Sequence, residues 1–519
     1  MSKTKTGTVF LVGAGPGDPG LLTLRAAELL GRADVVIHDV LVNPALLRHA
    51  RTGAEIIDAA KVASDRTLRQ ETLNRLLVEH AKAGRTVVRL KGGDPYVFGR
   101  GGEEAEDLAR HGIPFEVVPG VSSFSAVPAY AGIPLTHRNC ASAFTVVTGH
   151  EDPARGEAAV NWAEVARLHG TKVVLMGVER LDRISASLIE AGQPASTPVA
   201  LIRNGTLGSQ QTLEGVLGDI AAKSAAVGFQ SPAVAVIGEV VKLRSELAWF
   251  EARPLFGKRI VVTRAREQAG EFAGRLAELG AEVLEIPTIR TSHPTEREPM
   301  IEALAGLGEY DWIVFTSVNG VNAFLDGLLA AFEDVRSLGN LRIAAVGSAT
   351  AARIREYRLR VDAQPADFVG RAVADAIGKT ESLENLRVLL ARAEVGNPDV
   401  SRELEANGAI VDDVSFYRTV PETEIAEPLV ASLREKGADW ITFTSSSTVT
   451  HLNARVPLKD LVLRHPTLRV ASIGPETTRT LANLGVKPTV EANPHNLDGL
   501  IKAMLGPAGD AQRFVAARP

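Results

Sequence analysis

Short apolar runs alternate with longer amphipathic stretches along almost the whole chain, the pattern of buried strands separated by covering helices. TVFLVGAGPGDPG (8–20) reads as a strand and a glycine-rich turn, and LLTLRAAELLGRADVVIHD then supplies a helix and a second strand, a βαβ opening. Val87–Leu90 reads as a third strand, Phe115–Val118 as another, and TKVVLMG, TPVALIR and SPAVAVIGEVV as later ones. At WFEARPLFGKR (249–259) the pattern restarts, which places a domain junction there.

Beyond the junction the chain repeats itself. YDWIVFTSVNGVNAFL is echoed by ADWITFTSSSTVTHL, and LRIAAVGSATAARI by LRVASIGPETTRTL. Arg264 with Arg392 and Trp312 with Trp440 share an offset of 128, and Gly347 with Gly474 one of 127. A near-constant offset over three blocks predicts two similar α/β lobes, each a parallel sheet wrapped by helices.

Length and composition set bounds on this picture. At 519 residues the chain exceeds what one core supports, so several domains are expected. A formal charge of -5 argues against general nucleic-acid binding, so a polyanionic ligand would need a local basic cluster. Cys140 is the single cysteine, which excludes an internal disulfide framework and a cysteine-rich metal site and fits a reducing cytoplasm. No stretch approaches transmembrane length, and the apolar run near the start is too short for a signal peptide.

The richest stretch is VVRLKGGDPYVFGRGGEE (87–104). Gly92, Gly93 and Asp94 follow a strand end, where bare backbone can approach a ligand. Pro95 delays helix formation, Gly99, Gly101 and Gly102 leave Arg100 pointing outward, and Glu103 and Glu104 open a helix. The opening GAGPGD is a poor dinucleotide fingerprint, because Asp18 stands where its third glycine belongs and Pro16 intrudes. Ser122 and Ser123 read as a helix cap with amides suited to a carboxylate.

Together these blocks resemble the tetrapyrrole (corrin and porphyrin) methyltransferases, specifically uroporphyrinogen-III C-methyltransferase, over about residues 7–248. The resemblance implies a two-lobed domain using S-adenosyl-L-methionine and no metal. It assigns cofactor contacts to Pro16, Gly92, Gly93, Asp94, Val97, Ser122, Ser123, Met176 and Gly205. Asp39 matches the family's proton acceptor and Lys61 its proton donor, although Ala60 and Val62 replace the usual neighbours of that lysine. Arg100, with Glu103 to orient it, and Arg138 would meet substrate carboxylates, and Arg100 is also open as the base. Dimerisation through this half is a further implication.

In the second half each block ends in hydroxyl residues or glycine just before a helix, an arrangement that can hold carboxylates without formal charge. This half resembles uroporphyrinogen-III synthase, whose two lobes are joined by crossover segments that match EIPTIRT and SFYRTVPE. The resemblance implies one lobe at about 256–288 plus 420–512 and an inserted lobe at about 290–418, each with a parallel sheet. Tyr417 matches the tyrosine suspected in catalysis, and Ser317, Asn319, Ser348, Thr444, Ser445 and Thr477 are binding candidates.

The two resemblances imply one cytoplasmic bifunctional enzyme. The second half would cyclise hydroxymethylbilane to uroporphyrinogen III with inversion of the last ring. The first would then add two methyl groups, giving precorrin-2, with sirohaem or cobalamin as the destination. Two other readings stay open: methylation of a later corrin intermediate, and a second half that only binds tetrapyrroles.

Overall fold

The computed structural model describes residues 6–62, 66–150, 160–365, 370–396, 398–423 and 427–506, so the expected domain end at 512 lies outside the described residues. The chain divides into two compact units, one up to residue 260 with 274–283, the other 261–273 with 284–504.

The first sheet contains β1 (Val9–Gly13), β2 (Val35–His38), β3 (Glu55–Asp58), β4 (Val87–Lys91) and β5 (Phe115–Val118), in the order β3-β2-β4-β1-β5 and parallel throughout. Alternate residues feed two cores. Leu11, Ile37 and Val87 enter one, and Val12, Val36, Val88 and Leu90 the other. Burial on both faces is what a parallel sheet covered by helices requires, and it explains the unbroken apolar runs.

The second sheet holds β6 (Phe144–Thr148), β7 (Thr171–Leu175), β8 (Pro198–Arg203), β9 (Gln211–Val216) and β10 (Ala233–Ile237), ordered β6-β7-β10-β8-β9. Only its first pair is parallel, because β10 runs against β7 and β8, and β9 against β8.

In the second half β11 (Arg259–Val262), β12 (Glu282–Glu285), β18 (Trp440–Phe443), β19 (Arg469–Ser472) and β20 (Val490–Glu491) form a sheet ordered β12-β11-β18-β19-β20. Inserted between its strands are β13 (Ile289–Ser292), β14 (Trp312–Phe315), β15 (Arg342–Ala345), β16 (Arg387–Ala393) and β17 (Ile410–Pro421), ordered β13-β17-β16-β14-β15. This fourth sheet is parallel except at its edge. There β13 pairs antiparallel with the end of β17, Ile289 opposite Pro421 and Ser292 opposite Arg418. The two crossover segments therefore run side by side in opposite directions, one leaving and one returning.

The sequence repeat has a structural counterpart. Trp312 opens β14 and Trp440 opens β18, and each ring lies against the arginine that opens the next strand, Arg342 at 5.6 Å and Arg469 at 5.4 Å. Ser317 and Ser445 then cap the following helices, accepting the N–H of Gly320 at 3.0 Å and of Thr448 at 3.3 Å.

Candidate functional site

Three strand ends meet in the first half, and only glycine permits it. A Cβ on Gly120 would lie 2.2 Å from the Gly93 carbonyl oxygen, and one on Gly13 would lie 2.5 Å from the Gly120 Cα. Gly15 and Gly93 exchange backbone hydrogen bonds of 3.2 and 2.7 Å. Asp94 clasps the loop, accepting the Tyr96 N–H at 2.8 Å and the Gly120 N–H at 3.0 Å. The N–H of Val97 donates to the Asp94 carbonyl at 3.3 Å. Beyond Gly93 the nearest atoms to an added Cβ are Ser123 N and Ser122 Cα, at 3.8 and 3.9 Å, so bare backbone faces the start of the helix Ser123–Tyr130.

A second group of loops comes from the mixed sheet. Thr206 Oγ1 accepts the Asp18 N–H at 3.0 Å, and Tyr130 donates its hydroxyl to Asp18 at 2.7 Å, which ties the turn containing Pro16 to the loop after β8. A Cβ on Gly205 would lie 2.4 Å from a Val127 methyl. Met176 (φ 54°), Asn204 (φ 49°), Thr206 (φ 72°), Phe98 (φ 52°) and Arg100 (φ 58°) all adopt left-handed backbone that is costly for side-chain-bearing residues. Met176 stays 49% exposed, so it is not core filler.

Charged residues complete this half. Arg89, Lys91 and Glu104 are buried: Glu104 Oε1 accepts from Arg89 Nε at 3.1 Å and from Lys91 Nζ at 3.0 Å, and the far end of Arg89 pairs with Asp39. Burial alone would raise the Asp39 carboxyl, but Arg89, Lys91 and the Gly92 N–H hold it below its ordinary range. Burial lowers the Lys91 ammonium, with Arg89 adding to the effect. Arg100 is exposed and bonds Glu103 through Nε at 3.1 Å and Nη2 at 2.6 Å.

In the second half Tyr417, on β17, shares a 2.9 Å hydrogen bond with Ser317, one hundred residues earlier. The ring is buried, and burial pushes its hydroxyl up, so it stays protonated at neutral pH; Ser317 opposes the shift only in part. Arg264 donates to Gln268 at 3.0 Å, and Gln268 donates to Asn319.

Comparison with known proteins follows the same division. Residues 8–221 match the tetrapyrrole (corrin/porphyrin) methylases, and residues 270–502 match uroporphyrinogen-III synthase HemD. Over 499 residues the chain is 39% identical to the porphyrin biosynthesis protein HemD of Ruminiclostridium josui, covering 96% of this chain and 98% of that one. The chain belongs to this family of methylase and synthase fusions. Its methylase half is 49% identical over 241 residues to an S-adenosyl-L-methionine-dependent uroporphyrinogen III methyltransferase of Methanosarcina barkeri, covering 46% of this chain and 94% of the relative. A crystal structure of the Thermus thermophilus uroporphyrin-III C-methyltransferase with S-adenosyl homocysteine is 41% identical, with a TM-score of 0.39 over 46% of this chain and 94% of that one.

Within the methylase half of this fusion, Gly92, Gly93 and Asp94 come together with Ser122 and Ser123, and Gly205 and the Pro16 turn are joined through Thr206 and Asp18. Ser122 stands at the expected N-cap, but its side chain makes no capping hydrogen bond. Lys61 is 85% exposed on its side chain and pairs with Asp58 at 3.8 Å. Arg138 stands exposed at the tip of a tight loop closed by reciprocal hydrogen bonds between His137 and Ala141. In the synthase half, Ser348 is exposed at a helix start, Thr444 is half-buried just after β18 and Thr477 is buried in the first turn of the helix Pro475–Asn483, and none is bonded to the Tyr417–Ser317 pair. The sequence pattern assigned no role to Arg89, Lys91 or Tyr130, and marked Glu104 only as a helix opener and Asp18 only as a break in the dinucleotide fingerprint. An arginine inside the apolar run VVRLK was the available signal for the first.

Proposed function

We propose that this chain makes uroporphyrinogen III from hydroxymethylbilane in its second half and methylates it twice in its first, yielding precorrin-2. The observation that carries the methylase reading is the glycine-only meeting of three strand ends beside Ser122–Ser123. Bare backbone at Gly92 and Gly93 suits the adenosyl and methionyl parts of S-adenosylmethionine, and the half-exposed, left-handed Met176 suits a flat ring. That group supplies an electrophilic methyl on a sulfonium, so the protein's task is chiefly orientation. Arg100, steadied by Glu103, and Arg138 pair with acetate or propionate side chains of the macrocycle. Asp39, held ionised by Arg89, offers a carboxylate to a pyrrole N–H and takes up the proton lost after methylation.

In the synthase half, Tyr417 donates a proton to the departing hydroxyl of the linear substrate, and Ser317 fixes the direction of that donation. Helix starts at Ser348, Ser445 and Gly474, the last with Thr477 buried beneath it, receive carboxylates. The enzyme works in the cytoplasm as a homodimer through the methylase half, which sedimentation of the purified chain checks. Supplying uroporphyrinogen III and labelled methyl donor tests the first activity: two labels per macrocycle support it. Labelling only of a later corrin intermediate overturns it.

A further inference from the structure

We propose that Glu104 is a positioning residue for methyl transfer that holds Arg89 and, through it, the Asp39 carboxylate. The inference rests on the methyltransferase reading of the first half.

Glu104 sits in the first turns of the helix Gly101–Arg110, wholly buried, and its Oε1 gathers donors from two different elements. Arg89 Nε at 3.1 Å and Lys91 Nζ at 3.0 Å come from β4, and Gln70 Nε2 at 3.2 Å comes from the helix Arg66–Lys82. Its Oε2 has no hydrogen-bond partner among the described residues. Such a group is poorly explained by stability, because burying paired charges gains little over apolar packing and an unsatisfied oxygen adds a cost.

The other end of the network explains it better. Arg89 is 2% exposed and spans from Glu104 to Asp39, donating also to the Ile37 carbonyl at 3.3 Å. Asp39 lies at the end of β2 with its side chain 33% exposed, so it is the one member of the quartet that reaches the surface. Two cations and two anions balance. With Glu104 neutralised, Arg89 and Lys91 share Asp39 as their only anionic partner in the quartet, and both draw its carboxylate inward. The Gly92–Asp94 loop is held chiefly by Gly15 and Gly120 and touches the network only where the Gly92 N–H meets Asp39, so cofactor affinity depends little on Glu104.

The test is a double-mutant cycle in the full chain, with S-adenosyl homocysteine affinity by calorimetry and methylation turnover as readouts. Glu104→Gln should lower kcat by about tenfold or more while leaving that affinity within about twofold, and should have no further effect in an Asp39→Asn background. Arg89→Lys, which keeps the buried charge but shortens the span, should behave alike and serves if Glu104→Gln fails to fold. Equal losses with and without Asp39, a parallel loss of affinity, or unchanged kcat in Arg89→Lys overturns the proposal. If the wild-type chain transfers no methyl group, the underlying reading fails instead.

Discussion

The Tyr417–Ser317 pair makes two substitutions separable by physical argument. In Tyr417→Phe the buried hydroxyl disappears, while Ser317 Oγ still accepts the Gly320 N–H at 3.0 Å. The loss is one neutral hydrogen bond, about 1 kcal/mol. Ser317→Ala removes the helix cap, again about 1 kcal/mol, and also strands the buried Tyr417 hydroxyl. An unsatisfied buried hydroxyl adds about 1–3 kcal/mol. At about 2–4 °C per kcal/mol for a unit of this size, calorimetry of the full chain should show the second-half transition falling by about 2–4 °C in Tyr417→Phe and clearly more in Ser317→Ala. Cyclisation should rank the other way. Tyr417→Phe loses the proton donor, costing about a hundredfold or more, whereas Ser317→Ala keeps it with looser aim. If the two variants rank identically in stability and in cyclisation, Tyr417 is a structural hydroxyl and its assignment as proton donor is refuted.

Other expectations follow from the first half. Gly120→Ala places a methyl 2.2 Å from the Gly93 carbonyl oxygen and 2.7 Å from the Gly13 Cα, all backbone. Overpacking of about 1–3 kcal/mol should weaken S-adenosyl homocysteine binding about ten- to a hundredfold by calorimetry, and unchanged binding would refute the strand-end geometry. Arg100→Ala should lose most methylation and keep cyclisation, and a variant with normal methylation removes Arg100 from the mechanism. The Asp39 carboxyl is lowered on folding, so its contribution is complete above the ordinary value of about 4 and is lost as pH falls through the folded value. Asp39→Asn should therefore flatten the loss of thermal stability below about pH 4, and an unaltered acid limb would contradict the pairing.

Much of the architecture was legible because periodicity reports burial. Val87–Leu90, Phe115–Val118 and the paired Trp312 and Trp440 strands lie where apolar runs put them, and Gly347 and Gly474 stand just before helices, as their shared spacing implied. Direction was less legible. Nothing in IRTS announces that β13 runs antiparallel to β17, since a short edge strand takes its sense from where the chain must return. Site chemistry divides along the same line. Gly92–Asp94 and Arg100–Glu103 are local and readable. Ser317 with Tyr417, and Asp39 with Arg89 and Glu104, depend on which strand ends the sheet order brings together. Arg89 also hid in an apolar run, because a buried ion network and a hydrophobic strand share the same neighbours.

The decisive measurement is to give the purified chain fresh hydroxymethylbilane, with and without S-adenosylmethionine, and to identify the oxidised products by absorbance and mass. The type-III macrocycle alone, gaining two methyl groups when the donor is added, is the predicted result. Only the spontaneous type-I ring, with supplied uroporphyrinogen III still methylated, would contradict it and leave the second half a binding module.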